Sequence, residues 1–362
     1  METMEQYIKE TPEQCRKNIF NAKALTRDIV SAFMKKPYKR IEIIASGSSY
    51  NGAMTAKYFI EKVLKMKVEV LTSFTVLTVE TILDVDVFYV GMGQSGRSTN
   101  TNAAMEKIRN QGFPVFGVTG NVDSVMKYSC DAICSWEPGI EKIGYVTKGY
   151  STSVLFWMLF AVEAAHTIGR LGQSDYEYYI KELLVMTKAM DTIIPLAKAW
   201  VNRNIEDLKV SPRIQVIGYG SGLGAALEGT LKIEETYGKA ASCYELEEFM
   251  HGPCYEITEA GTVIVLDTAG KSQVRAQQLF NEIHCLTSQV YMITGKASED
   301  EKVLTLPQLN DETMNALVNV IALQLIGAYA HQNWINPNLN QRIAFCEAMN
   351  VKAPKTGKEI GL

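Results

Sequence analysis

Two glycine turns, one centred on Gly47 (Ala45-Ser46-Gly47-Ser48-Ser49) and one on Gly220 (Tyr219-Gly220-Ser221-Gly222), stand 173 residues apart. Each follows a short apolar run and opens a helical pattern. A second pair of segments, Val115–Gly120 and Val290–Gly295, recurs at a spacing of 175. Two separate matches at nearly one spacing point to an internal duplication. Within each copy, short apolar runs alternate with helical stretches: Ile41–Ala45, Val68–Leu71, Val85–Gly91, Val115–Thr119 and Ala132–Ser135, then Ile214–Gly218, Ala240–Tyr244, Thr262–Asp267 and Gln289–Thr294. Alternation of this kind predicts an α/β fold with parallel sheets covered by helices on both faces.

The length of 362 residues fits two domains. The expected division is 1–195, with N-terminal helices, and 205–350, joined by a helical connection through Lys181–Trp200 and followed by a loosely structured tail at 351–362. Thr11-Pro12-Glu13-Gln14 predicts a helix start, with a capping Thr and a proline at the first helical position. A net charge of −4 gives no basis for a nucleic-acid surface. The apolar run Ser153–Ile168 is broken by Glu163 and is shorter than the roughly 18 residues of a membrane span, so it reads as a core helix and no membrane partner is expected. Seven scattered cysteines and a polar start fit a reducing cytoplasm.

The chemistry-bearing residues fall in two groups. After the strand Ile41–Ala45, the residues Ser46-Gly47-Ser48-Ser49 would set hydroxyls and helix-opening amides around an anion. Gly93-Gln94-Ser95-Gly96-Arg97-Ser98-Thr99 does the same after the predicted strand Val85–Gly91. Ser and Gly are also ordinary turn residues, but two such turns in one domain favour the anion reading. In the second half, Gly220-Ser221-Gly222-Leu223-Gly224-Ala225 is a weak dinucleotide fingerprint. It is followed by Glu228, Lys232 and Glu235 at helical spacing and by His251-Gly252-Pro253, where the proline fixes the loop carrying the imidazole. Carboxylate plus imidazole suits proton transfer at carbon next to a carbonyl, although a surface Glu and a capping His would look the same. The His/Cys groupings His251/Cys254, Cys130/Cys134 and His284/Cys285 lack zinc spacing, so no metal is expected. No G-x-S-x-G elbow is present.

Taken together, the start YIKETPEQCRKNI, the SGSSYNGA and GQSGRST turns, IGYVTKGYST, AALEGTLKIEE and ELEEFMHGP resemble the tandem SIS (sugar isomerase) domain family across almost the whole chain. The chain looks like the fructosamine 6-phosphate deglycases and the isomerase half of glutamine–fructose-6-phosphate amidotransferase. That resemblance implies two flavodoxin-like αβα sandwiches, a homodimer or higher homo-oligomer, a sugar-phosphate substrate and no cofactor. Carried over by motif, Ser48, Ser49, Gln94, Ser95 and Ser98 would bind the 6-phosphate, with Ser46 and Gly47 shaping the turn. Glu235, sixteen residues before His251, would be the catalytic base. His251 would assist ring chemistry, reaching in some members into a neighbouring subunit, and Lys148 would line the sugar pocket.

Three departures narrow the expectation. With the sequence starting at Met1-Glu2, no glutaminase domain is expected. Phe345 falls near the position of the synthases' ring-opening lysine, with Lys352 or Lys355 as candidates to replace it. Arg97 stands where the synthases have Glu, so a cation there could meet the carboxylate of a sugar–amino acid adduct. The leading expectation is therefore a deglycase, with its phosphate end and proton-transfer end contributed by different halves. An aldose–ketose isomerase or amino-sugar phosphate deaminase is the first alternative. A non-catalytic sugar-phosphate-binding regulator and an NAD-dependent enzyme are the others.

Overall fold

Every strand that the apolar runs predict is present, and all of them are parallel. The computed structural model describes residues 2–79, 82–334, 336 and 338–354. Helices α1 (Met4–Phe20) and α2 (Ala22–Phe33) lead into β1 (Arg40–Ala45), α3 (Ser48–Leu64), β2 (Lys67–Thr72), α4 (Ser73–Thr78), β3 (Val87–Gly93), α5 (Thr99–Asn110), β4 (Val115–Thr119) and β5 (Ala132–Ser135). Next come α6 (Lys148–Thr167) and α7 (Gln173–Val210). The second copy runs β6 (Arg213–Gly218), α8 (Ser221–Tyr237), β7 (Ala240–Glu245), β8 (Thr262–Leu266), α9 (Gln273–His284), β9 (Val290–Thr294), β10 (Val303–Thr305) and α10 (Glu312–Asn333), with α11 (Leu339–Ala348) after it.

The strand orders are β2-β1-β3-β4-β5 and, reading from its second strand, β7-β6-β8-β9-β10. The same doubly wound order appears twice, which is the flavodoxin-like arrangement. In the first sheet, adjacent residues of β3 serve opposite faces. Phe88 joins an aromatic cluster with Phe33 and Phe160, while Tyr89 packs with Ile44, Met105 and Val115. Burial on both faces explains why these strands read as continuous apolar runs rather than alternating ones. The second sheet packs Ile217, Val265 and Met292 against Phe280 and Ile283 of α9.

Several boundaries differ from expectation. The chain divides into one unit of Glu13–Glu141, Lys148–Leu183 and Asn338–Leu362, and another of Met1–Pro12, Lys142–Thr147 and Leu184–Pro337. The first residues thus group with the second sheet, where Glu5 meets Lys198 at 2.5 Å and the Tyr7 hydroxyl accepts the Lys142 amide at 3.1 Å. Helix α1 begins well before Pro12 and carries the proline inside it. The buried stripe Met4, Tyr7, Ile8, Cys15 and Ile19 supports the longer helix, and the Thr11 hydroxyl turns back to the Tyr7 carbonyl at 2.9 Å instead of capping a start. The predicted helical connection lies within α7, a single 38-residue helix.

Lys352 and Ala353, expected in the tail, are paired to the chain. Lys352 bridges to Ser98, and the Ala353 amide donates to the Arg97 carbonyl at 2.8 Å. Lys355 lies outside the described residues. Helix α6 is buried along nearly its whole length, as a core helix should be. Among the described residues α10 alone is long and apolar enough to cross a membrane, and 94% of its most apolar window is buried inside the protein.

Candidate active site

The two glycine turns have one backbone geometry. Gly47 has φ 58° and ψ −137°, Gly220 φ 53° and ψ −131°, and each precedes the first residue of a 17-residue helix. No neighbour crowds either position, so the left-handed backbone rather than lack of space calls for glycine. The amides of the first turn of α3 and α8 have no acceptor inside their own helices, and they open at the carboxyl ends of β1 and β6. What surrounds the two turns differs.

In the first-sheet unit, hydroxyls gather around the turn. Ser46 is exposed, and Ser48 and Ser49 are half-buried at the head of α3. The second turn, after β3, closes through the Gly96 amide donating to the Gly93 carbonyl at 3.1 Å, and Ser95 Oγ accepts the Arg97 amide at 3.3 Å. The Gln94 carbonyl receives the Gly120 amide at 2.9 Å, tying the turn to the end of β4. Ser46 and Ser98 are linked by the hydroxyls of Ser73 and Thr101, two buried residues that local sequence patterns do not single out.

The Gln94 side chain lies against the start of α6. A Cβ at Gly149 would fall 2.1 Å from Gln94 Oε1, so this close approach needs glycine. Gly149→Ala is expected to push the Gln94 amide aside and weaken inorganic phosphate binding about tenfold, the equivalent of roughly 1.4 kcal/mol, within the usual range for overpacking. Calorimetric titration of the variant checks this, and an unchanged affinity would remove Gln94 from the anion site.

Lys148, the first residue of α6, is buried, and its ammonium donates to the Ile140 carbonyl at 2.8 Å. Glu141 caps the same helix, accepting the amides of Lys148 at 3.1 Å and Gly149 at 2.9 Å. The Arg97 guanidinium donates through Nε to the Ala353 carbonyl at 2.7 Å. The segment Val351–Ala353 therefore binds Arg97, the residue expected to face a substrate carboxylate.

In the second-sheet unit, the corresponding turn is filled by its own side chains. Tyr219 stands where Ser46 stands in the first copy, and its hydroxyl donates to Asp267 Oδ1 at 2.8 Å. Fully buried Asp267 also accepts from the Ala269 amide at 2.8 Å, Gln273 Nε2 at 3.0 Å and Thr294 Oγ1 at 2.6 Å. Burial, reinforced by the Asp267 charge, pushes the Tyr219 phenol above its ordinary range, so it stays a donor. This carboxylate's acceptor sites are already taken by donors of its own unit.

The same unit holds the carboxylate group on α8. Lys232 Nζ lies 2.6 Å from Glu235 Oε2 and 3.4 Å from Glu228 Oε1. The Lys232 and Glu228 side chains are 1% and 0% exposed, whereas that of Glu235 is 31% exposed. Burial alone would lower the Lys232 pKa, but the two carboxylates outweigh it and hold the amine above its ordinary value. Glu235 is thus a half-exposed carboxylate fixed by a buried cation, and Asn336 Nδ2 donates to its carbonyl at 3.2 Å.

His251 is exposed in the bend between two 3₁₀ turns, Glu248–Met250 and Pro253–Glu256. Glu245 Oε2 accepts the amides of Glu247 at 2.8 Å and Glu248 at 3.1 Å, and Glu247 is bracketed by Arg275 at 2.6 and 3.1 Å. Among the described residues, Glu235 and His251 make no hydrogen bond with each other.

Comparison with known proteins agrees with this architecture. Residues 207–330 match the SIS domain model. Glutamine–fructose-6-phosphate aminotransferase [isomerizing] of Bordetella pertussis is 24% identical over 335 residues, covering 89% of this chain and 54% of that protein. The Clostridium tetani protein of the same name is 25% identical over 333 residues, with the same coverage. The chain spans about half the length of these relatives. A Clostridium difficile 630 structure, provisionally described as a phosphosugar isomerase, superimposes with a TM-score of 0.88 at 26% identity, covering 98% of this chain and 99% of that one. The C-terminal domain of the Francisella tularensis glucosamine-fructose-6-phosphate aminotransferase shares the fold at 21% identity, with a TM-score of 0.80 over 90% of this chain and 93% of that one. The family model thus identifies a SIS domain at residues 207–330, the first sheet repeats the strand order of that domain, and relatives named as isomerizing aminotransferases align along most of the chain.

Proposed function

We propose that this chain is a sugar-phosphate enzyme that splits a 6-phosphorylated sugar–amino acid adduct into hexose 6-phosphate and amino acid. The observation that carries the reading is Glu235, a partly exposed carboxylate held at 2.6 Å by a buried ammonium on the helix that follows a glycine turn. The helix-opening amides and the hydroxyls of Ser48, Ser49, Ser95 and Ser98, with the Gln94 amide, hold the phosphate. Glu235 takes a proton from C1 of the open-chain ketosamine. The freed electron pair forms the C1–C2 double bond, and His251 protonates the C2 oxygen. Return of the proton to C2 leaves a protonated imine between C1 and nitrogen, which gives its N–H proton back to His251. Water adds at C1, the amine departs with a proton, and the aldehyde of hexose 6-phosphate remains. The sequence is redox-neutral. Incubation with a panel of 6-phosphorylated fructosyl-amino acids should release glucose 6-phosphate or an epimer; no release from any adduct at high enzyme concentration would overturn the reading.

A second reading, an aldose–ketose isomerase or amino-sugar phosphate deaminase, draws support from Arg97. Its Nε is engaged by the Ala353 carbonyl at 2.7 Å, which removes one reason to expect an adduct carboxylate. Ammonia release from glucosamine 6-phosphate, with no adduct cleaved, is the result that would favour it.

A further inference from the structure

Four hydroxyls from three crossover connections form one continuous chain in the first-sheet unit. Ser46 Oγ donates to Ser73 Oγ at 3.0 Å, Ser73 Oγ and Thr101 Oγ1 lie 2.7 Å apart, and Thr101 Oγ1 donates to Ser98 Oγ at 2.9 Å. The sheet register builds it. Ala45 of β1 pairs with Thr72 of β2, so the next residues, Ser46 and Ser73, emerge side by side, and Thr101 reaches them from the first turn of the helix after β3. Ser73 and Thr101 have no exposed surface.

A hydroxyl carries a single proton, and this sets the direction of the chain. Thr101 gives its proton to Ser98, so Ser73 must be the donor in the contact between Ser73 and Thr101, and Ser46 gives its own to Ser73. The proton of Ser98 is therefore the one left to leave the chain. Ser98 precedes α5, and its side chain makes no capping bond to that helix, so capping does not consume it. At the other end, Ser46 has turned its proton inward and presents only oxygen lone pairs outward.

We propose that Ser73 and Thr101 are positioning residues of the phosphate site, forming a one-way hydroxyl relay that makes Ser98 a polarised donor and keeps Ser46 out of direct phosphate binding. The inference rests on the reading of these turns as the phosphate site. Each donor in a chain strengthens the next, so the terminal hydroxyl is a better donor than an isolated serine. The relay lies wholly within one unit and joins the ends of β1, β2 and β3, so it also fixes the spacing of the two phosphate turns.

The test is calorimetric titration of the intact chain with inorganic phosphate. Thr101→Val and Ser73→Ala should each weaken binding about 5- to 10-fold, the size of one neutral hydrogen bond. Thr101→Ser, which keeps the hydroxyl, should bind like the parent, and Ser46→Ala should change affinity less than about 3-fold. The discriminating measurement is the cycle with Ser98→Ala. If Thr101 acts through Ser98, Thr101→Val adds nothing once Ser98 is alanine. Thermal melts confirm that each variant is folded, and Thr101→Ser gives a reading even if Thr101→Val is not. Full additivity in the cycle, or parental affinity for Thr101→Val while Ser49→Ala is weakened, overturns the relay. No phosphate binding by the parent chain, or unchanged affinity in Ser49→Ala, overturns the phosphate reading itself.

Discussion

Glu235→Gln is expected to lower turnover of the sugar-phosphate substrate by about 10²- to 10⁴-fold, the usual contribution of a positioned proton-transfer group, while phosphate affinity stays within about twofold. The substitution is nearly isosteric. The new amide oxygen still accepts from Lys232, which also keeps its contact with Glu228 at 3.4 Å, so the helix should remain folded. Loss of kcat with an unchanged KM therefore reports chemistry rather than binding. Exchange of solvent deuterium into C1 or C2 of the substrate should disappear together with turnover. Persistent exchange in the variant would assign the proton transfer to another group. If the parent chain binds phosphosugars but shows no turnover and no exchange, a binding regulator becomes the better reading, and Glu235→Gln would then leave ligand affinity and biological effect intact.

That experiment targets a residue the sequence exposes readily. Glu235 lies on a long helix with regular spacing and follows a glycine turn whose position is matched in the first copy. Strands are equally legible: β4 falls on the apolar run that predicts it, because a strand buried on both faces has no polar alternation to blur its ends. Strand β10 is only three residues long, Val303–Thr305, and no pattern of that length stands out in a sequence. The start of α1 was hidden by Pro12, since local capping signals point to a beginning there while the buried stripe extends further back.

The site divides in the same manner. Its turns are local and readable, whereas their supports are contacts over distance. Ser46 reaches Ser73 across 27 residues and Ser73 reaches Thr101 across 28, both consequences of strand order. Tyr219 meets Asp267 across 48 residues, and that contact fills the crest of the second copy. A glycine fingerprint alone gives the two turns the same function. Packing separates them, because one is surrounded by hydroxyls of small side chains and the other by a phenol already committed to a buried carboxylate.

The largest expected effect on stability is at Lys232. Lys232→Met should destabilise the chain by about 3–5 kcal/mol, because Glu228, fully buried, loses the counter-charge beside it. For a domain of this size the midpoint of thermal unfolding should fall by on the order of 10 °C. Replacing both charges, Glu228→Gln with Lys232→Met, should recover most of the loss, since exchanging both members of a buried pair for neutral side chains costs far less than removing one of them. The pH dependence follows from the raised Lys232 pKa. The stabilisation is fully present below the ordinary lysine value of 10.5 and disappears as pH rises through the higher folded value. The difference between parent and single variant should therefore stay level from about pH 7 to 9 and shrink only in stronger alkali. Glu235 adds a functional consequence, because the same ammonium fixes its carboxylate at 2.6 Å. The single variant should lose turnover even at temperatures where it remains folded, and the double variant should recover stability without recovering activity. Activity restored together with stability would mean that Lys232 serves the fold alone and that Glu235 needs no buried cation to do its work.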